Sequence, residues 1–78
     1  MPKRRKKNLI GPTIRKLRYR GGAEISQEDL TARIESRGVR LDRSALARIE
    51  GQDRLVKDIE IVAIAKALRV PVQRLFEG

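Results

Sequence analysis

The sequence predicts an all-α fold, a compact bundle of five short helices in one domain. Three observations carry that prediction. Apolar residues recur at helical spacing in five stretches, set apart by glycine, proline and helix-capping residues. The hydrophobic fraction of 40% is dominated by Leu, Ile, Val and Ala, while Tyr19 and Phe76 are the sole aromatics. Branched aliphatics of this kind suit helix packing better than a sandwich or a barrel. A chain of 78 residues also has room for one modest core and no second domain.

Residues 1–8 have no apolar periodicity and carry five like charges. They are expected to be a disordered basic arm, with residues 9–78 as the folded domain. Leu9, Ile10, Ile14 and Leu17 place the first helix within residues 9–20. Asn8 or Gly11 can cap it, Pro12 is tolerable only in its first turn, and Gly21-Gly22 ends it. Ser26 caps the second helix, Gln27, Glu28 and Asp29 suit its dipole, and Ile25, Leu30 and Ile34 form its buried stripe. Residues 35–41 are a break containing Gly38. Asp42 caps a third helix over residues 43–50, with Leu46 and Ile49 inward, Leu41 packed before the cap and Gly51 as the stop.

Asp58 is expected to cap a fourth helix running to about Leu68, with Ile61, Ile64, Ala65 and Leu68 on one buried face. Ile59, Val62 and Ala63 add apolar surface beside that face. Either this helix is central and buried nearly all round, or Ile59 or Val62 contributes to a subunit interface. Pro71 opens a short fifth helix, with Val72, Leu75 and Phe76 closing the end of the core.

Composition narrows the function classes. There is no cysteine and no histidine, which excludes a disulfide framework and every Cys or His metal site. No Gly-rich phosphate loop of the GxxxxGK type and no obvious catalytic carboxylate pair is present. An enzyme is therefore not expected, and neither is a cofactor or a metal. No stretch approaches the length of a membrane span, and the basic N-terminus is not followed by an apolar run. A soluble, cytoplasmic protein is expected. The formal net charge is +9. Lys3, Arg4, Arg5, Lys6 and Lys7 supply five of the 19 cations, leaving 14 against 10 acids, a net of +4, on residues 9–78. Nucleic acid is the first partner such a balance suggests. The arm itself reads either as a solvated tail or as a contact to phosphates or a minor groove.

Two helices joined by a turn, the second rich in exposed long polar residues, suit reading of the DNA major groove. The third helix shows Arg43, Ser44, Ala47 and Arg48 away from its Leu46 and Ile49 side. Arg can bond guanine with two hydrogen bonds, Ser44 can reach a base or a phosphate, and Ala47 is small enough to lie against a thymine methyl. Gln27 stands in the first turn of the preceding helix, where amides and side chain can hold a phosphate. The bland reading of the same residues is a solvated helix face.

At this point the chain resembles a family, the lambda-repressor-like helix-turn-helix proteins of the Cro type, often called the XRE family. The resemblance lies in LIGPTIRKLR at 9–18, ISQEDLTARI at 25–34, LDRSALARIEG at 41–51 and VAIAKALRVPVQRLF at 62–76, in that order. It implies five helices, with the second and third as the DNA-reading unit. It implies base contacts from Arg43, Ser44 and Arg48, a cap at Asp42 and a phosphate contact from Gln27. It further implies a structural ion pair between Arg18 and Glu50, and a loop with Gln52 and Arg54 lying along the DNA backbone. Three departures stand out. Residues 35–40 replace a much shorter turn, from which Arg37 and Arg40 either reach phosphate or are simply solvated. Two extra residues lie near Ala23 and Glu24. Arg69 stands where a glycine often follows the fourth helix.

The function expected from these features is sequence-specific binding of double-stranded DNA by a nucleoid-associated transcriptional regulator, a repressor before an activator, with a homodimer as the form the resemblance implies. A protein-interaction module, such as an antitoxin or a coactivator-like adaptor, and a non-specific nucleic-acid binder are the competing classes.

Overall fold

Capping residues set where each helix begins, and the apolar stripe of each then sets how it packs. The computed structural model describes residues 5–19 and 24–77. Among them are four α-helices, α1 (Gly11–Arg18), α2 (Gln27–Glu35), α3 (Arg43–Glu50) and α4 (Asp58–Leu68), followed by a 3₁₀ helix (Val72–Phe76), with no strand among the described residues. The expected stop at Gly21-Gly22 and the insertion at Ala23 lie outside the described residues.

Asn8 settles the start of α1. Its Oδ1 accepts the amides of Ile10 (3.1 Å) and Gly11 (2.8 Å), so the helix begins two residues later than Leu9. Leu9 is consequently outside the helical phase of Ile10, Ile14 and Leu17, and it is 76% exposed rather than buried. Gly11 is required where it stands. A Cβ there would collide with the Ile49 carbonyl and lie 2.8 Å from that of Glu50, so α1 packs against the end of α3 through bare backbone.

The caps at Ser26 and Asp42 form as expected. Ser26 Oγ accepts the Asp29 amide at 3.0 Å and Asp42 Oδ1 accepts the Ala45 amide at 2.8 Å. Between these helices the chain turns through Ser36, Arg37 and Gly38. Gly38 adopts φ +84, which ends α2 at low steric cost. Val39 then turns partly inward, Arg40 outward and Leu41 into the core. This alternation spans the long turn and delivers Asp42 to its capping position.

α4 differs from expectation at its start. Lys57, not Asp58, is the N-cap, and the Glu60 carboxylate accepts the Lys57 amide at 2.9 Å. At the other end Arg69 is left-handed, with φ +60. The Val70 amide reaches the Ala65 carbonyl and the Arg69 amide that of Lys66, both at 3.0 Å, the paired bonds of a Schellman ending. α4 is not buried all round. Ala63, Ile64, Ala65, Ala67 and Leu68 are buried, but Ile59 is 61% and Val62 41% exposed.

The fifth helix is 3₁₀ rather than α. Five residues after Pro71 are too few for a developed α ladder, and the Arg74 amide bonds the Pro71 carbonyl at 3.0 Å. Of its apolar residues Leu75 alone is buried, while Val72 and Phe76 are exposed, correcting the expectation that all three close the core.

α2 packs on α3 and α4, α1 on α3, and the 3₁₀ helix on α4 and α1. Ile14, Leu30, Ile34, Leu46, Ile49, Ile64 and Leu75 meet in one fully buried cluster. The Cα radius of gyration is 12.0 Å, close to the roughly 11.5 Å of a folded chain this long. No helix among the described residues is long and apolar enough to cross a membrane.

Candidate nucleic-acid interface

α3 has a strict division of faces. Leu46 and Ile49 are fully buried, and Arg43, Ser44, Ala47 and Arg48 are exposed. The division follows from helical spacing, since positions 43, 44, 47 and 48 fall on one side when 46 and 49 face the core. The Asp42 cap and the contacts with α1 and α2 hold this short helix in place, so its outward side chains project from a fixed backbone. The four residues that sequence reasoning selected therefore come together on one solvent-facing surface.

Beneath α3 lies a buried polar network. Arg18 Nε bonds Glu50 Oε2 at 2.7 Å and Arg18 Nη2 bonds Glu50 Oε1 at 2.9 Å. The two side chains are 5% and 6% exposed. Arg18 Nη1 also donates to the Ile25 carbonyl at 3.0 Å. The Glu50 hydrogen bond, acting against burial, raises the Arg18 guanidinium above its ordinary pKa. Its guanidinium carbon lies 5.2 Å from the centre of the Tyr19 ring, within cation–π range. Gln27 joins the network, its Nε2 donating to Glu50 Oε1 at 3.1 Å. The half-buried Gln27 thus braces the ion pair that joins α1 to α3.

The start of α2 is more acidic than a phosphate site requires. Glu28 and Asp29 are exposed in its first turn, and Ser26 already accepts the Asp29 amide. Glu28 also lies 3.5 Å from Arg43, a solvent-exposed pair of small energetic weight. Arg37 and Arg40 are both exposed on the turn, and Arg40 immediately precedes the Leu41-Asp42 entry to α3.

Gln52 and Arg54 have partners within the protein. Arg54 forms a two-pronged pair with Glu60, at 2.9 and 3.0 Å, and donates to the Leu55 carbonyl. The Glu60 side chain is 5% exposed, and the Arg54 hydrogen bond holds its carboxyl below the ordinary carboxylate value despite burial. Arg54 therefore anchors the α3–α4 loop to α4 rather than standing free for DNA. Gln52 Nε2 donates to the Asn8 carbonyl at 3.1 Å.

Asn8 is the residue whose role sequence reasoning understated. Besides capping α1, its Nδ2 donates to the carbonyls of Ile49 (3.0 Å) and Arg54 (2.9 Å). One carboxamide thus ties the entry of α1 to the exit of α3. Lys7 and Asn8, expected to belong to a disordered arm, are instead tied to the body, the Lys7 amide bonding the Gln52 carbonyl at 3.0 Å. The expectation for residues 1–4 lies outside the described residues. The only sequence signal for this junction was Asn8 three residues before Gly11, an N-cap spacing. Comparison of the chain with protein-family models, with curated proteins and with solved structures finds no match.

Proposed function

We propose that this chain binds double-stranded DNA sequence-specifically, with α3 in the major groove, and acts as a transcriptional regulator, a repressor before an activator. The observation that carries the reading is the outward face of α3. Two arginines, a serine and an alanine share one exposed surface on a helix whose opposite side is fully buried. The groove admits one helix, and Arg43 and Arg48 have the donors for guanine edges while Ser44 and Ala47 leave space for close approach. α2 packs across α3, the pairing a helix-turn-helix requires, and the resemblance to the lambda-repressor-like family supports the same assignment. A bound module of this size can exclude polymerase from DNA without further surfaces. Dimerisation on a near-palindromic site and a cytoplasmic, nucleoid-associated location belong to this reading.

Arg43, Ser44, Ala47 and Arg48 are assigned to bases, Arg37 and Arg40 to phosphates, and Arg18, Glu50, Arg54 and Glu60 to holding the frame. Gln27 is assigned first to bracing Glu50. Titrating duplex DNA into labelled protein and following backbone amide resonances tests the assignment. Shifts concentrated over residues 40–48 are expected. Shifts confined to α4 and the 3₁₀ helix would contradict it.

A second reading, a protein-interaction module, rests on a different observation. Ile59 and Val62 are exposed beside Val39 and Ala63 in a shallow groove of about 360 Å³, with Arg37 and Lys66 also on its walls. A protein that binds no duplex DNA but engages a partner through this groove would fit that reading.

A further inference from the structure

The basic arm and the loop after α3 are joined by two hydrogen bonds. The Lys7 amide donates to the Gln52 carbonyl at 3.0 Å, and Gln52 Nε2 donates to the Asn8 carbonyl at 3.1 Å. Gln52 does this from φ +62, a left-handed conformation that favours glycine. A glycine there would relieve the backbone but would lack the carboxamide that holds the arm. The Asn8 side chain fixes the same junction from the other side, through the Ile49 and Arg54 carbonyls.

This junction determines where the arm leaves the body. Arg48, in the last turn of α3, and Gln52, two residues past its end, bracket the C-terminal end of that helix. The Lys7 backbone sits against Gln52. Arg5, Lys6 and Lys7 are exposed, and each residue of extended chain adds up to about 3.5 Å. The tether to Gln52 therefore keeps these cations near the exit of α3. An arm already tethered at Lys7 also loses less freedom on binding than one hinged farther into the body.

We infer that Gln52 is a positioning residue, which with Asn8 holds Arg5, Lys6 and Lys7 at the C-terminal end of α3 so that they contact phosphates of the duplex that α3 reads. The inference rests on the DNA reading above. It extends that reading to a second, backbone-binding segment, and it gives Gln52 a role through the arm instead of a DNA contact of its own.

Binding of the full chain to a fluorescein-labelled duplex of about 20 base pairs, followed by anisotropy between about 50 and about 200 mM salt, tests it. Arg5→Gln/Lys6→Gln/Lys7→Gln is expected to reduce the steepness of the log affinity against log salt plot by about 2–3, since each lost phosphate contact removes about 0.9. Gln52→Gly keeps the left-handed backbone and removes the carboxamide. It is expected to weaken binding several-fold in the native arm and to have no further effect in the neutralised arm, with an intact melting transition. A Gln52→Gly effect that persists in the neutralised arm would overturn the positioning role. Tight binding with an unchanged salt dependence in the triple variant would overturn the arm contact while leaving the DNA reading intact. Absence of duplex binding by the unaltered chain would overturn both.

Discussion

Arg18 and Glu50, 32 positions apart, meet in a two-pronged ion pair with a shortest separation of 2.7 Å, and almost none of either side chain reaches solvent. Removing one partner leaves the other charge buried. Arg18→Ala or Glu50→Ala is therefore expected to destabilise the fold by about 3–5 kcal/mol, whereas replacing both with Met and Leu is expected to cost far less. Urea denaturation of the singles and the double checks this. Singles within about 1 kcal/mol of the parent would contradict it.

Gly11 and Gly38 are expected to respond to alanine for different reasons. At Gly11 the new methyl meets backbone carbonyls of α3, so α1 must move away from α3. A loss of about 1–3 kcal/mol is expected, the range for overpacking. At Gly38 no atom lies within 4 Å of the added Cβ, but φ is +84. The cost there is conformational, about 1 kcal/mol. Thermal melting of both variants, with the α1 amide resonances displaced in Gly11→Ala alone, checks the distinction.

Glu60 makes stability depend on acid. Its hydrogen bond from Arg54 lowers the folded-state pKa below the unfolded value, so its contribution is fully present above the unfolded value of about 4.3. The contribution is lost as pH falls through the folded value. Glu60→Gln is expected to be less stable than the parent at neutral pH, with the gap narrowing below about pH 4. Urea midpoints measured from neutral pH into acid test this. A gap that stays constant would contradict the assignment.

Arg69→Gly is expected to stabilise the protein. Arg69 holds φ +60 at the end of α4, and its backbone bonds, not its side chain, form the Schellman ending. Glycine keeps those bonds and removes the Cβ penalty, for a gain of about 0.5–1 kcal/mol. A lower melting temperature would show that the Arg69 side chain has a stabilising contact.

These cases show what could be read from residues alone. Ser26, Asp42 and Gly51 mark helix ends by local chemistry, and Leu30, Ile34, Leu46 and Ile49 obey a local period. The α3 face followed from the same period, and the Arg18–Glu50 pair followed from the resemblance. The loop partnerships depended on tertiary return of the chain. Nothing local distinguishes Arg54, six residues before Glu60, from a surface cation until the loop folds back on α4. Gln52 resembled a free polar loop residue because its partner, Asn8, lies 44 positions away. Asp58 looked like a cap because its side chain is suitable, but Glu60 reaches back to the Lys57 amide and moves the start of α4 by one residue. The Leu9 error was one of phase, since the helix starts only where Asn8 allows.

The central claim is that α3 reads base sequence, and selection from a random pool of double-stranded DNA at near-physiological salt tests it most directly. The account predicts an enriched, roughly palindromic motif for the unaltered protein and loss of that motif for Arg43→Ala/Arg48→Ala, with the fold unchanged by circular dichroism. Binding without an enriched motif, fading as salt rises, or a motif that survives loss of both arginines, would contradict it.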